Sequence, residues 1–90
     1  MQIKAKPPFL KQANKLFKKN PYLKKEFEVV IEKLTLDPFD PSLKTHKLSG
    51  ELKDFWSCHI TYTIRLSFKY KKGIVELIDI GTHQEIYNQT

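Results

Sequence analysis

The sequence is sparing with several residues that would commit it to a particular class. Its one cysteine, Cys58, excludes an intrachain disulfide. No apolar run approaches the ~20 residues that a membrane-spanning helix needs. The first residues, MQIKAKPPFLKQ, are basic but lack the apolar stretch of a secretory signal. These features together point to the cytoplasm. With three glycines, the chain offers no glycine-rich loop to cradle a nucleotide phosphate and no G-x-S-x-G turn to expose a nucleophilic serine. There is no internal repeat. Arginine occurs once, at Arg65, in a chain with fifteen lysines.

What is present suits one small domain spanning residues 1–90. A chain of this length buries only about 60–65% of the surface its unfolded form exposes and cannot supply two cores. Hydrophobic residues make up 40% of it and aromatic residues 12%, enough for a folded globule. The net charge of +6 is unevenly distributed. Residues 1–36 hold nine lysines against Glu26, Glu28 and Glu32, whereas the rest of the chain is balanced. Such a field favours a polyanion, because every phosphate it neutralises releases condensed counterions. A solvated lysine-rich helix face is the alternative.

The periodicity sets an α+β class, with a two-helix hairpin packed on one face of a small antiparallel sheet. QIKA, residues 2–5, is a candidate strand. Pro7 and Pro8 suit the first turn of a helix, where a missing N–H costs nothing. Phe9, Ala13, Leu16 and Phe17 then recur at helical spacing, with lysines largely around the other side. Asn20 and Pro21 read as N-cap and first-turn proline of a second helix, whose stripe is Leu23, Phe27, Val30, Ile31 and Leu34. DPFDPSLKTHKLSG, residues 37–50, reads as a loop long enough to carry function. From Phe55 the period becomes two. Trp56, Cys58 and Ile60 fall on one face with Ile64, Leu66, Phe68 and Tyr70, which leaves His59 and Arg65 on the other. ITYT, residues 60–63, is either a turn without glycine or proline or a bend in one long strand. KKG, residues 71–73, is a hairpin turn, and IVELIDI, residues 74–80, a central strand.

The ionisable groups outside the helices that invite chemistry are His46, His59, His83 and Arg65. A lone arginine among lysines suggests that a planar fork is wanted, since guanidinium grips phosphate in two places and ammonium does not. Its alternative use is a cross-strand pair with a carboxylate such as Glu76. Three imidazoles and a guanidinium suit the cleavage of RNA by its own 2′-hydroxyl. A base takes the hydroxyl proton, an acid protonates the leaving 5′ oxygen, and cations hold the charge on phosphorus oxygens. Imidazole titrates near the pH of the cell, so one ring can accept while another donates. This chemistry requires no metal or other cofactor. The spacing of the histidines matches no compact metal-ligand pair, and Cys58 points to the opposite sheet face. Tyr87, with Tyr62 as a weaker candidate, offers a ring on which a splayed base can stack.

HKLSG (46–50), FWSCHITYTIRLSFKY (55–70) and GTHQEIY (81–87) resemble the RelE/ParE superfamily of bacterial type II toxins, and within it the YoeB and YafQ branches. The resemblance implies a RelE-like fold similar to microbial ribonucleases. It also implies a ribosome-dependent messenger-RNA endonuclease held inactive by a cognate antitoxin. By that likeness His83 is the general acid and Tyr87 the aromatic beside it. His46 and His59 abstract a proton or position the 2′-hydroxyl, Arg65 binds phosphate, and Lys47 of HKLSG is a further substrate contact. Two departures bear on the base. Thr63 stands where YafQ-like toxins carry an aspartate, and the glutamate base of YoeB has no counterpart in DPSLKTHKLSG, which leaves His46 or His59. The extra ELKD after Gly50, relative to YoeB, bears on where His46 sits. The competing reading is a non-catalytic inhibitor of DNA gyrase, as in the ParE branch, which needs no histidine array.

Overall fold

The computed structural model of the protein describes residues 1–48 and 54–87, the last of these in its backbone alone. Strand β1 (Gln2–Ala5) leads into α1 (Pro7–Lys19) and α2 (Tyr22–Leu36). The chain then forms a 3-10 turn (Pro41–Leu43), β2 (His46–Lys47), β3 (Phe55–His59), β4 (Ile64–Lys71), β5 (Ile74–Thr82) and a closing helix α3 (His83–Tyr87). The five strands form one sheet in the order β1-β5-β4-β3-β2. The sheet is antiparallel, as the meander of β2 to β5 requires, except that β1 pairs with β5 in parallel. That pairing arises because the two helices carry the chain from one sheet edge to the other.

The core lies between the helices and one sheet face. Alternation along β4 sends Ile64, Leu66 and Phe68 into it, where they meet Cys58 from β3, Val75, Leu77 and Ile80 from β5, and Phe9, Ala13, Leu23, Val30 and Leu34 from the helices. α1 packs on β5, and Gln12 Nε2 donates to Ile80 O at 2.9 Å. The rings of Phe17 and Phe27 meet between the two helices, 5.3 Å apart and tilted by 55°. The lysines of α1 remain exposed, as the stripe predicts.

Two local expectations need revision, and one open alternative is settled. Asn20 does not cap α2. It closes α1, its backbone N–H and its side-chain Nδ2 both donating to Leu16 O, and α2 opens at Pro21 without a side-chain cap. Residues 37–48 are more ordered than a plain loop: Asp40 Oδ1 accepts from Ser42 N at 2.8 Å, and Leu43 and Leu48 are buried. ITYT is a turn, not a bend. Ile60 N donates to Ile64 O, and Thr61 Oγ1 accepts from the backbone N–H of both Thr63 and Ile64, so a threonine hydroxyl supplies the bonds that usually come with a glycine turn. The Lys72–Gly73 loop between β4 and β5 has positive φ at both residues, the geometry of a two-residue hairpin.

Candidate active site

Cross-strand partners in an antiparallel sheet lie on the same face, so register decides which side chains meet. His59 pairs with Arg65, and Arg65 with Gly81. In the neighbouring row His46 pairs with Ser57, Ser57 with Ser67, and Ser67 with Asp79. These residues occupy the sheet face turned away from the helices. The 3-10 turn and the left-handed φ of 52° at Lys44 deliver the chain to β2. Thr45 Oγ1 donates to Pro38 O at 2.6 Å and ties that approach to the end of α2. His46 is therefore on an edge strand, not in a loop. Its ring lies 6.4 Å from that of His59, nearly perpendicular to it at 80°. His46 Nδ1 donates to Lys44 O at 3.1 Å, a bond that only a protonated Nδ1 can make.

His83 is the first residue of α3. Thr82 Oγ1 accepts from Glu85 N at 3.2 Å, and the Glu85 carboxylate accepts from Thr82 N at 3.0 Å. This is a reciprocal capping box, and it turns the chain abruptly from β5 into the helix that carries the imidazole. The Thr82 backbone N–H, and after it the Thr82 hydroxyl, hold the Glu85 carboxyl below its ordinary pKa. Gly81 makes room for the arrangement, because a Cβ there would meet Glu85 Oε1 at 3.3 Å. T-x-x-E at 82–85 is the sequence signal of this cap.

The groups converge electrostatically on His59. Its pKa is pushed below the usual histidine value, first by burial and then by the charges of Arg65, Lys44, His46 and His83, which come from four different parts of the fold. Lys44 had no place among the candidates, since nothing in its sequence context distinguishes it from other lysines. Arg65 does not pair with Glu76, whose carboxylate lies 3.3 Å from Lys6 Nζ. Instead Arg65 Nη1 donates to the carbonyls of Thr61 and Tyr62, at 3.0 and 2.6 Å, and braces the β3–β4 turn. Its Nε is buried without a hydrogen-bond partner among the described residues, and so is Ser57 Oγ.

Two other candidates are placed differently from the rest. Lys47 pairs with Trp56 and faces the helix side of the sheet, so the alternation that presents His46 turns Lys47 away from the site. Tyr62 is 88% exposed at the tip of the turn that Arg65 braces. The side chain of Tyr87 and residues 49–53, which include the end of HKLSG and most of ELKD, lie outside the described residues. Cys58 is fully buried on the core face, where burial pushes its thiol up to about 12. Among the described residues, no three of histidine, cysteine, aspartate and glutamate form a cluster able to hold a metal ion. In the same set, no helix is long and apolar enough to cross a membrane.

The profile of the YafQ family, a bacterial toxin of type II toxin-antitoxin systems, matches residues 1–88. The chain belongs to this family and is a toxin of that kind. Solved structures agree on the fold. A metal-bound toxin from Helicobacter pylori is 32% identical, covers 96% of this chain and 98% of its own, and superposes with a TM-score of 0.74. YafQ from E. coli strain BL21(DE3) gives a TM-score of 0.78 at 19% identity, covering 96% and 97% of the two chains. A chain of the E. coli DinJ–YafQ complex gives 0.69 at 22% identity, covering 96% and 97%. No curated protein sequence matches the chain.

Proposed function

We propose that the chain works as one toxin domain in the cytoplasm, a metal-independent endoribonuclease that cuts messenger RNA on the ribosome and is silenced by a cognate antitoxin. The observation that carries the reading is the surroundings of His59, which pairs with Arg65 across β3 and β4, has the His46 ring 6.4 Å away, and has its pKa lowered first by burial and then by charges that include Arg65, His46 and His83. A ring held neutral at cellular pH is ready to accept a proton. In the reaction His59 takes the proton of the ribose 2′-hydroxyl, whose oxygen bonds to phosphorus. The bond from phosphorus to the 5′ oxygen breaks, and His83 supplies the proton that oxygen requires. The products are a 2′,3′-cyclic phosphate and a 5′-hydroxyl. Arg65, whose Nη1 is held by the Thr61 and Tyr62 carbonyls, turns the rest of its guanidinium to the phosphorus oxygens and stabilises their charge. His46, beside His59, orients the ribose, and Tyr62 and Tyr87 stack on bases.

The family supports the antitoxin, and the lysine-rich helices suit ribosomal RNA. The test combines purified toxin, ribosomes and a translated message, with the new 5′ ends mapped. Wild type is expected to cut within the coding sequence, and His83→Ala and Arg65→Ala to lose that activity. Equal cutting by both variants would overturn the assignment.

A further inference from the structure

We infer that the lysine cleft at the other end of the open sheet face binds the phosphate backbone of the same RNA strand, a few nucleotides from the bond being cut. This rests on RNA being the substrate. Register places Lys4, Glu76, Lys69 and Phe55 in one row across β1, β5, β4 and β3. Lys71 follows two residues along β4 on the same face, and Lys72 sits in the turn. Lys4, Lys69, Lys71 and Lys72 line a cleft of about 370 Å³ together with Ile74 and Glu76. Among the described residues that line it, Glu76 is the one carboxylate, and Lys6 Nζ at 3.3 Å already offsets it. Lys69 Nζ stands 5.9 Å from the centre of the Phe55 ring.

Four ammonium groups gathered from two strands and a turn around one neutralised carboxylate form a site for a polyanion. β4 fixes its relation to the histidines. It presents Arg65, Ser67, Lys69 and Lys71 in succession on this face, and at about 3.3 Å per residue the lysines lie about 13–20 Å from the arginine. Ser57 and Ser67, which lie between the two, are buried, so the RNA strand crosses the side chains that cover them rather than β4 itself. A strand whose scissile phosphate rests on Arg65 reaches the cleft across that distance. Ammonium groups on flexible stems neutralise phosphates without reading bases, so the contact sets affinity and direction but not sequence preference. An acidic protein segment carries charge of the same sign. RNA is favoured because the cleft and the histidine row lie on the same face of the sheet.

The test is a binding titration of the full chain at several salt concentrations. Its probes are 2′-O-methyl RNA oligonucleotides, which lack the attacking hydroxyl. One covers only the histidine row and the other is long enough to reach the cleft. The variant Lys69→Gln/Lys71→Gln/Lys72→Asn keeps a residue tolerant of the φ of 52° at position 72. It is expected to bind the long probe about 10- to 100-fold more weakly at low salt, and to flatten the salt slope by about two, with no change for the short probe. Arginine at positions 69 and 71 should restore much of the binding. Equal affinity and slope for wild type and variant would overturn the cleft. So would a result in which the lysine changes weaken only a poly-glutamate peptide, since the occupant would then be an acidic protein. Ribosome-dependent cleavage by wild type from the same preparation reports separately on the parent reading. If wild type neither cleaves nor binds RNA, that reading fails and the cleft fails with it.

Discussion

The two faces of the sheet are made by the same strands and obey different physics. β4 contributes Ile64, Leu66 and Phe68 to the helix-covered face, and Arg65, Ser67 and Lys69 to the open one. On the covered face, close packing is what matters, and a side chain contributes through the apolar area it removes from water. On the open face electrostatics dominates, and a group matters through the charges it brings near His59 or near a phosphate. A fault on the first face should cost stability, and a fault on the second should cost function at little cost in stability.

The largest expected break between the faces is His83→Ala. Removing an acid–base partner should lower ribosome-dependent cleavage by about 10²- to 10⁴-fold. His83 is exposed, so the urea midpoint should stay near that of wild type. A large fall in stability would mean that the imidazole is structural. The opposite experiment is Phe68→Ala. Phe68 is fully buried at the centre of the core, and its truncation should cost about 3–5 kcal/mol of unfolding free energy. Binding of RNA by the fraction still folded should not change.

Thr82→Ala tests the link between the faces, because the capping box fixes α3 and with it His83. Losing the Thr82 hydroxyl should cost about 0.5–2 kcal/mol of stability in urea unfolding. Cleavage should fall as well, and Thr82→Ser, which keeps the acceptor, should recover both. Unchanged cleavage in Thr82→Ala would show that the cap does not position the imidazole.

The smallest effects concern protons. The folded pKa of His59 is lowered, so between that value and the ordinary 6.5 the unfolded chain binds the extra proton and the folded one does not. His59 therefore contributes stability that is present above pH 6.5 and lost as the pH falls through the folded value. His59→Gln should flatten the dependence of urea stability on pH across that window. Lys44→Asn removes one of the charges that lower the pKa and suits the left-handed backbone at position 44. It should shift the His59 titration upward, as read from imidazole NMR signals, and carry the acid limb of the cleavage profile with it. An unmoved titration would mean that burial and the remaining charges suffice.

Much of this was legible in the sequence because it rests on local regularities. The apolar stripes of α1 and α2, the alternation along β3 and β4 and the Lys72–Gly73 turn follow from periodicity and from φ preferences. The placement of His59 with Arg65 and away from Cys58 followed from the same alternation. Register was less accessible. Lys47 and His46 are adjacent in one motif, yet pairing with β3 sends them to opposite faces. Glu76 looked available to Arg65 until the cross-strand partner of Arg65 proved to be Gly81. Asn20 bore the mark of a helix start and serves a helix end, because two helices meet there and either can use its amide.

By itself the sequence determined which residues face each way along a given element, since side-chain direction in helices and strands repeats with a fixed local period. It also determined the supply of chemistry: three histidines, one arginine and an excess of lysine. Tertiary structure alone decided the order of the strands, the parallel pairing of β1 with β5, the approach of Lys44 to His59 and the alignment of the lysine cleft with the histidine row. Those are contacts between residues far apart in the chain, and their geometry depends on how the helices carry one sheet edge to the other, a path that no local period encodes.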